Sequence, residues 1–413
     1  MVVKNNLTSR EKRAKVKVGR SEALKRTMAT KVELGDSRED LFSKTHLPSY
    51  AELHKEKLKR PLIYSALLTF PKSEKEINYN LCVKLDNNGN PKLWVRIEPD
   101  DSEAENSVIR ELEMRKNRFV ITDEIQNVQD PHTSNINANL STLGAVGINC
   151  SNPYRPGKVT DFHEVFFPIK NGNVKKSDFV SCQSGEKDVR ISYVGNGKSL
   201  ILTRQRNESE EGVDSYLQGL LLPSPKSVVD ITKMIDIVKK VPSSRIDLLQ
   251  KENIQWFGSN FSVPLVSPNG IVPVGLFSHV GRYNREIKCK NGDVQREYVT
   301  LASEHIFDPK SGRVIKSERP KIVSTAYDFK DLNIKPKKEG LENVVFMGSP
   351  IFVIGESPMP EYIIIFTGVK DGASCLSVIK YPFTLPPDPI LNKDYTMSKL
   401  QAKKFLYTLE QLN

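Results

Sequence analysis

From about Arg60 onward the chain is a succession of short apolar runs separated by Asn, Asp, Gly and Pro. Residues 61–68 (PLIYSALL) open the series. Residues 81–85 lead through Asp86-Asn87-Asn88-Gly89-Asn90 into residues 92–97, which is strand, turn, strand. The same grammar returns at 189–194, Gly195-Asn196-Gly197 and 199–203, and further strand runs stand at 271–277 and 362–367. Helical periodicity is weak except near 227–241 and 396–412. Many short strands with no regular alternation of strand and helix predict an all-β sandwich, barrel or propeller. About 320 residues of β structure is long for one sandwich, whereas five blades of about four strands fit that length. No strict internal repeat accompanies the pattern.

Composition narrows the setting. Of 413 residues 38% are hydrophobic and 27% charged, enough to bury a large core. No run of 18 apolar residues occurs, so no transmembrane segment is expected. The start, Met1-Val2-Val3-Lys4-Asn5-Asn6, lacks the apolar stretch of a secretory signal. Five scattered cysteines (Cys82, Cys150, Cys182, Cys289, Cys375) with no Cys-x-x-Cys pair fit a reduced, cytoplasmic setting without zinc. The net charge of +11 is concentrated: residues 1–31 hold ten Lys and Arg against Glu11 and Glu22. Such an arm is expected to be solvated, either disordered or helical. It contains no aromatic residue to stack on a base, which argues against specific nucleic-acid recognition.

The candidate chemistry starts at Gln129-Asp130-Pro131 and at Lys187-Asp188-Val189-Arg190-Ile191. Asp130 is a candidate proton donor to a glycosidic oxygen. Lys187, Arg190 and Arg204 are candidate phosphate ligands, because guanidinium forks match phosphate oxygens. A phosphorylase needs one protein acid, since phosphate is itself the nucleophile, whereas a hydrolase needs two carboxylates. His279 can add a hydrogen bond or, protonated, a charge. Ordinary readings stand beside these. Asp-Pro is a common turn former. Lys187-Asp188 also reads as a solvated approach to a hairpin, and His279 as a satisfied core histidine. Trp256 fits a sugar-stacking platform or core packing equally. Asp308-Pro309-Lys310-Ser311-Gly312 and Asn196-Gly197 read as plain turns. His163-Glu164 lacks the second histidine of a zinc motif, since Phe167 stands there.

Taken in order, these segments carry a resemblance. With Leu202-Thr203-Arg204, Trp256-Phe257-Gly258-Ser259-Asn260, Gly275-Leu276-Phe277-Ser278-His279, Asn343-Val344-Val345-Phe346-Met347-Gly348-Ser349 and Thr367-Gly368-Val369-Lys370-Asp371, the chain resembles the β-1,2-mannosyltransferase and mannoside phosphorylase family of Leishmania and its bacterial relatives. That resemblance implies a five-bladed β-propeller over 60–385, after a basic arm and lead-in at 1–59 and before a helical extension at 386–413. It implies reversible transfer of mannose, with inversion, between mannose 1-phosphate or GDP-mannose and a β-1,2-linked mannose oligosaccharide, with inorganic phosphate as the other partner and no cofactor or metal. It implies Asp130 as the general acid. Donor and phosphate binding would fall to Lys187, Arg190, Arg204 and His279, and sugar binding to Asp188, Asn260, Asp371 and Trp256. The chain departs from the pattern at Phe261, where relatives carry an acidic residue, and in the polar stretch that follows Pro131. The competing expectation is a carbohydrate- or protein-binding propeller that has lost catalysis.

Overall fold

The computed structural model describes residues 62–410, except 101–105, 116–117, 150–160, 184, 210–211, 242–244, 248, 250–253, 269 and 291, together with Glu52 and Lys55. The basic arm and Cys150 lie outside the described residues. The fold is a five-bladed β-propeller. Strand β1 (Leu62–Leu67) is set aside for the last blade. Blade I is β2 (Glu76–Leu85), β3 (Pro91–Pro99), β4 (Val108–Arg115) and β5 (Arg118–Gln126). Blade II is β6 (Val128–Asn135), β7 (Ser141–Asn149) and β8 (Asp161–Lys170), edged by the short β9 (Asn173–Val174) and β10 (Val180–Ser181). Blade III is β11 (Arg190–Gly195), β12 (Lys198–Ser209), β13 (Gly212–Pro223) and β14 (Arg245–Ile246), with helix α1 (Asp230–Lys239) inserted before β14. Blade IV is β15 (Trp256–Pro264), β16 (Val272–Lys288), β17 (Val294–Phe307), β18 (Val314–Ser317) and β19 (Lys321–Ser324). Blade V is β20 (Val345–Ile354), β21 (Tyr362–Val369) and β22 (Ala373–Lys380), completed by β1 on its outer edge. The pairing of Leu62 with Ile379 joins the two ends of the ring.

The innermost strands β2, β6, β11, β15 and β20 each touch the next and surround the axis. Both faces of every blade meet a neighbour, so the strands do not show one wet face. All nine residues of β15 are buried, and Ile363, Ile364, Ile365 and Phe366 of β21 are each 0% exposed. One apolar cluster fills each interface between blades. Examples are Trp94, Val128 and Leu143 between I and II, and Phe166, Ile191 and Ile231 of α1 between II and III. This accounts for continuous apolar runs where a half-exposed sheet would alternate.

The C-terminal segment is built into this ring. Strand β23 (Thr396–Ser398) pairs in parallel with β20, and helix α2 (Lys399–Glu410) packs Ala402, Phe405 and Leu409 into the core between blades V and I. Before them, residues 386–395 cross one end of the axis. The Asn392 amide donates to Pro264 O (2.8 Å), Asp394 pairs with Lys84 (3.2 Å), and Tyr395 Oη donates to Thr133 Oγ1 (3.0 Å). The strap thereby ties blades IV, I and II at that mouth. The other mouth carries the charged residues.

Candidate active site

At the open mouth the innermost strands are irregular. Register breaks fall at Tyr79/Leu81 in β2, Gln129/His132 in β6, Ser259/Phe261 in β15 and Met347/Pro350 in β20. Asn80, Asp130 and Asp188 have φ of 48°, 51° and 60°. Among residues with a side chain, Asn and Asp enter this left-handed region most readily. The bulges of β2 and β6 therefore favour the residue types that also bring polar groups to the mouth. The β2 and β20 backbones meet closely here: a Cβ on Gly348 would lie 1.6 Å from Leu81 O.

Asp130 sits at the centre of the first cluster and is 6% exposed. Its Oδ1 accepts from Asn80 Nδ2 (2.7 Å) and Arg96 Nη1 (2.8 Å), and Lys187 Nζ lies 3.7 Å from Oδ2. Burial pushes the Asp130 carboxyl up, but Arg96 and Lys187, with the Asn80 hydrogen bond, outweigh it and leave the group below its ordinary value. Arg96 is anchored on its far side by Glu98, which accepts from its Nη2 (2.7 Å), Ser107 Oγ (2.7 Å) and Tyr79 Oη (2.5 Å) and also pairs with Lys337. Asp371, in the turn between β21 and β22, feels the same charges. Burial raises its carboxyl, Arg96 opposes this, and Asp130 and Glu98 reinforce it, for a net rise.

The second cluster is built on Asp188, which is 1% exposed. Arg204 Nη1 lies 2.6 Å from its Oδ2 and His279 Nε2 3.8 Å. Burial would raise the Asp188 carboxyl, but Arg204, His279, Lys187 and Arg190 hold it far below the usual range. Burial pushes His279 down to about 4 against the pull of Asp188, so its imidazole is neutral at physiological pH. Its Nδ1 lies 3.2 Å from Asn260 Oδ1, while Asn260 Nδ2 donates to Met347 O (2.8 Å). A Cβ on Gly258 would come within 2.5 Å of the His279 ring, so glycine leaves room for it. Asp188 Oδ1 and Arg204 Nε are buried without a hydrogen-bond partner. They leave a free acceptor and a free donor beside the ion pair. Lys187 stands between the clusters, close to Asp130 and over the Phe162 ring (5.1 Å).

Lys187, Asp188, Arg204, Asp130 and Asp371 thus gather at one mouth, and the buried Asp188 is no solvated hairpin residue. Other residues are placed differently from the sequence expectation. Arg190 donates from Nε to Asn260 O (2.8 Å) and from Nη1 to Val189 O (2.9 Å) with its side chain 4% exposed. It ties blade III to blade IV, and its fork is occupied by main chain where a phosphate was expected. Trp256 is 6% exposed and packs edge-on against Tyr283 (4.9 Å) and Tyr298 (5.1 Å), so it backs the mouth without offering a face. Among the partly exposed rings, Tyr298 and Phe346 lie against His279. Asn260 positions His279 and holds β20. Phe261 packs edge-on against Tyr395 (4.8 Å) in the core between blades IV and V. Asp308 caps its own turn through the amides of Lys310 and Ser311 (both 3.0 Å).

Sequence reasoning missed Arg96, Glu98 and Arg296. Arg296, on β17, is half-buried, lies over the Tyr283 ring (5.8 Å) and interacts electrostatically with Asp371. Among the described residues its guanidinium has no hydrogen bond or ion pair. The only available signal was a basic residue inside the Arg296-Glu297-Tyr298 strand run. Among the described residues no group of three or more His, Cys, Asp and Glu side chains is arranged to hold a metal ion. No helix there is long and apolar enough to cross a membrane.

Comparison with solved structures finds the same architecture. MPT-4, a mannose phosphorylase from Leishmania mexicana in complex with phosphate, superposes with a TM-score of 0.62 at 20% identity, over 81% of this chain and 95% of that one. MPT-1, a GDP-Man-dependent mannosyltransferase from Leishmania mexicana, gives 0.62 at 19% identity, over 81% and 96%. A hypothetical protein from Leishmania major gives 0.59 at 19%, over 83% and 98%. At these identities the likeness is one of fold. No curated protein matches the chain. Residues 54–385 match DUF1861, a family described as protein of unknown function, and that span takes in every blade and both charged clusters. The propeller with its polar, bulged mouth is therefore a member of the DUF1861 family.

Proposed function

We propose that the protein is a mannosyl-transferring enzyme. It moves mannose between mannose 1-phosphate, or GDP-mannose, and a mannose oligosaccharide, making or breaking β-1,2 linkages with inversion. The observation that carries this reading is one ionised, hydrogen-bonded carboxylate, Asp130, set among cations at a propeller mouth. The phosphorylase and the mannosyltransferase that share the fold support it.

In the synthetic direction the Asp130 carboxylate takes the proton of an acceptor hydroxyl. The freed oxygen attacks the anomeric carbon from the face opposite the phosphate, and the bond from that carbon to the phosphate oxygen breaks. Lys187, Arg204 and Arg296 receive the departing charge, the role in which preorganised cations contribute most. In phosphorolysis the proton returns from Asp130 to the glycosidic oxygen, directly or through a sugar hydroxyl, phosphate attacks the anomeric carbon, and the glycosidic bond breaks to release the shortened oligosaccharide with its hydroxyl restored. Asp188 orients Arg204. Neutral His279, buttressed by Asn260, contributes a hydrogen bond without charge. Asp371 binds sugar hydroxyls.

The test is incubation of the protein with mannose 1-phosphate and mannose acceptors of one to four residues, following phosphate release. Release that depends on the acceptor supports the reading. Absence of release with mannose 1-phosphate, and of GDP release with GDP-mannose, across all acceptors would sink it.

A further inference from the structure

The strapped mouth carries a second concavity, distinct from the charged one. A cleft of roughly 1110 Å3 opens between blades I and II, at the far ends of β2, β6 and β11. Three hairpin turns and the strap wall it. Pockets for small molecules usually span about 300–1000 Å3, so this one has room for a chain of several units.

The net positive charge of the chain lies mostly in residues 1–31, and the cleft itself is neutral. The charged residues lining this cleft balance: Lys84, Lys92 and Lys393 against Asp86, Glu113 and Asp394. Several also neutralise one another directly, Lys84 with Asp394 at 3.2 Å and Lys92 with Glu113 at 3.4 Å. Such a surface gives a polyanion no counterion-release advantage. Eight asparagines share the lining. Four of them, Asn87, Asn88, Asn139 and Asn171, keep side-chain amides with no hydrogen-bond partner among the described residues. Each amide offers two donors and two acceptor lone pairs in one plane, which suits a vicinal pair of hydroxyls. Apolar surface is present too: Tyr193 is half-buried in the cleft, and Ile390 of the strap is 81% exposed. Carboxamides beside a ring and an aliphatic ledge match a pyranose, with polar edges and an apolar face.

We infer that this cleft is a binding site for a neutral oligosaccharide, separate from the charged mouth. It recognises uncharged, hydroxyl-rich chains by carboxamide hydrogen bonds and by contact with Tyr193 and Ile390. The inference stands on the chemistry of the cleft and does not require the charged mouth to be catalytic.

The experiment is calorimetric titration of the full chain with linear hexasaccharides of mannose, glucose and xylose, and with heparin as a polyanion. The same titrations use the double variant Asn88→Ala/Asn139→Ala, altered at two exposed turn positions. The wild type should bind at least one neutral hexasaccharide, and the double variant should lose tenfold or more in affinity at one site while its melting temperature is unchanged. Any transfer from mannose 1-phosphate to a disaccharide should proceed equally in both proteins. Affinities for every neutral hexasaccharide that are identical in wild type and double variant, or undetectable in both, would overturn the inference. So would a double variant that loses heparin and no neutral chain.

Discussion

At the residue scale, role follows from what already occupies a side chain's hydrogen-bonding groups. Arg190 and Arg296 are the instructive pair. Arg190 is spent on Asn260 O and Val189 O, whereas Arg296 makes no hydrogen bond or ion pair among the described residues. Arg296→Ala should raise KM for mannose 1-phosphate about tenfold or more, the worth of one charge-assisted hydrogen bond, and leave the melting temperature close to wild type. Arg190→Ala should instead lower stability by about 1–3 kcal/mol for each carbonyl left unpaired. Thermal melts and donor titrations of the two variants separate these effects, and reversed outcomes would exchange the roles. Buried Glu164 supplies a pH signature. It accepts from Val189 N (3.3 Å), lies 3.5 Å from His132, and burial pushes its carboxyl up to about 8. In the unfolded chain a Glu titrates near about 4.3. Between those values the folded state keeps a proton that the unfolded chain releases, so this group's contribution to stability falls as pH rises towards 8. Glu164→Gln removes that titration. Its melting temperature should gain on the wild type steadily from pH 5 to pH 8, and parallel curves would show that Glu164 is already ionised. Asp130, Asp188 and Arg204 were legible because short motifs in order mark them. Arg96 and Glu98 were not. They sit within the alternating run of β3, in blades buried on both faces, where alternation no longer tells which residue sees the mouth.

At the element scale, the hairpins were readable from their Asn and Gly turns. Asn196 and Gly197 do adopt positive φ (52° and 67°). Helices α1 and α2 fall inside the segments with helical periodicity. The bulges were not readable, because a register break leaves no mark beyond an Asn or Asp inside a strand, and those residues are equally at home in turns. One consequence can be tested. Gly348→Ala places a methyl carbon 1.6 Å from Leu81 O, so β2 and β20 must separate. Overpacking of this kind typically costs about 1–3 kcal/mol, and a clash with backbone belongs at or above the upper end. The variant should melt well below wild type. It should also lose activity beyond what the fraction unfolded explains, because Asn80 moves with β2 and its hydrogen bond to Asp130 on β6 is disturbed. A variant that melts with the wild type would mean the strands stand further apart than described.

At the scale of the whole molecule, length and strand density pointed to five blades, and the order of motifs pointed to a propeller that handles sugar phosphates. Ring closure lay beyond reach. Nothing in residues 62–67 marks them as partners of residues 375–379, and only the geometry of a closed circle requires it. That circle brings Asp130, Asp188, Arg204, Arg296 and Asp371, drawn from four blades, to one mouth. The ionised Asp130 carboxylate is central to the proposed transfer. A proton-transfer NMR time course, following 31P and anomeric 1H signals with mannose 1-phosphate and a β-1,2-mannobiose acceptor, compares wild type with Asp130→Asn. General acid–base catalysis contributes about 10²–10⁴-fold, so the variant should fall by that order while still folding and binding donor. The wild type should yield phosphate and a lengthened β-linked product. Equal rates in the two proteins, or a product of α configuration, would contradict Asp130 as the proton-handling group of an inverting transfer.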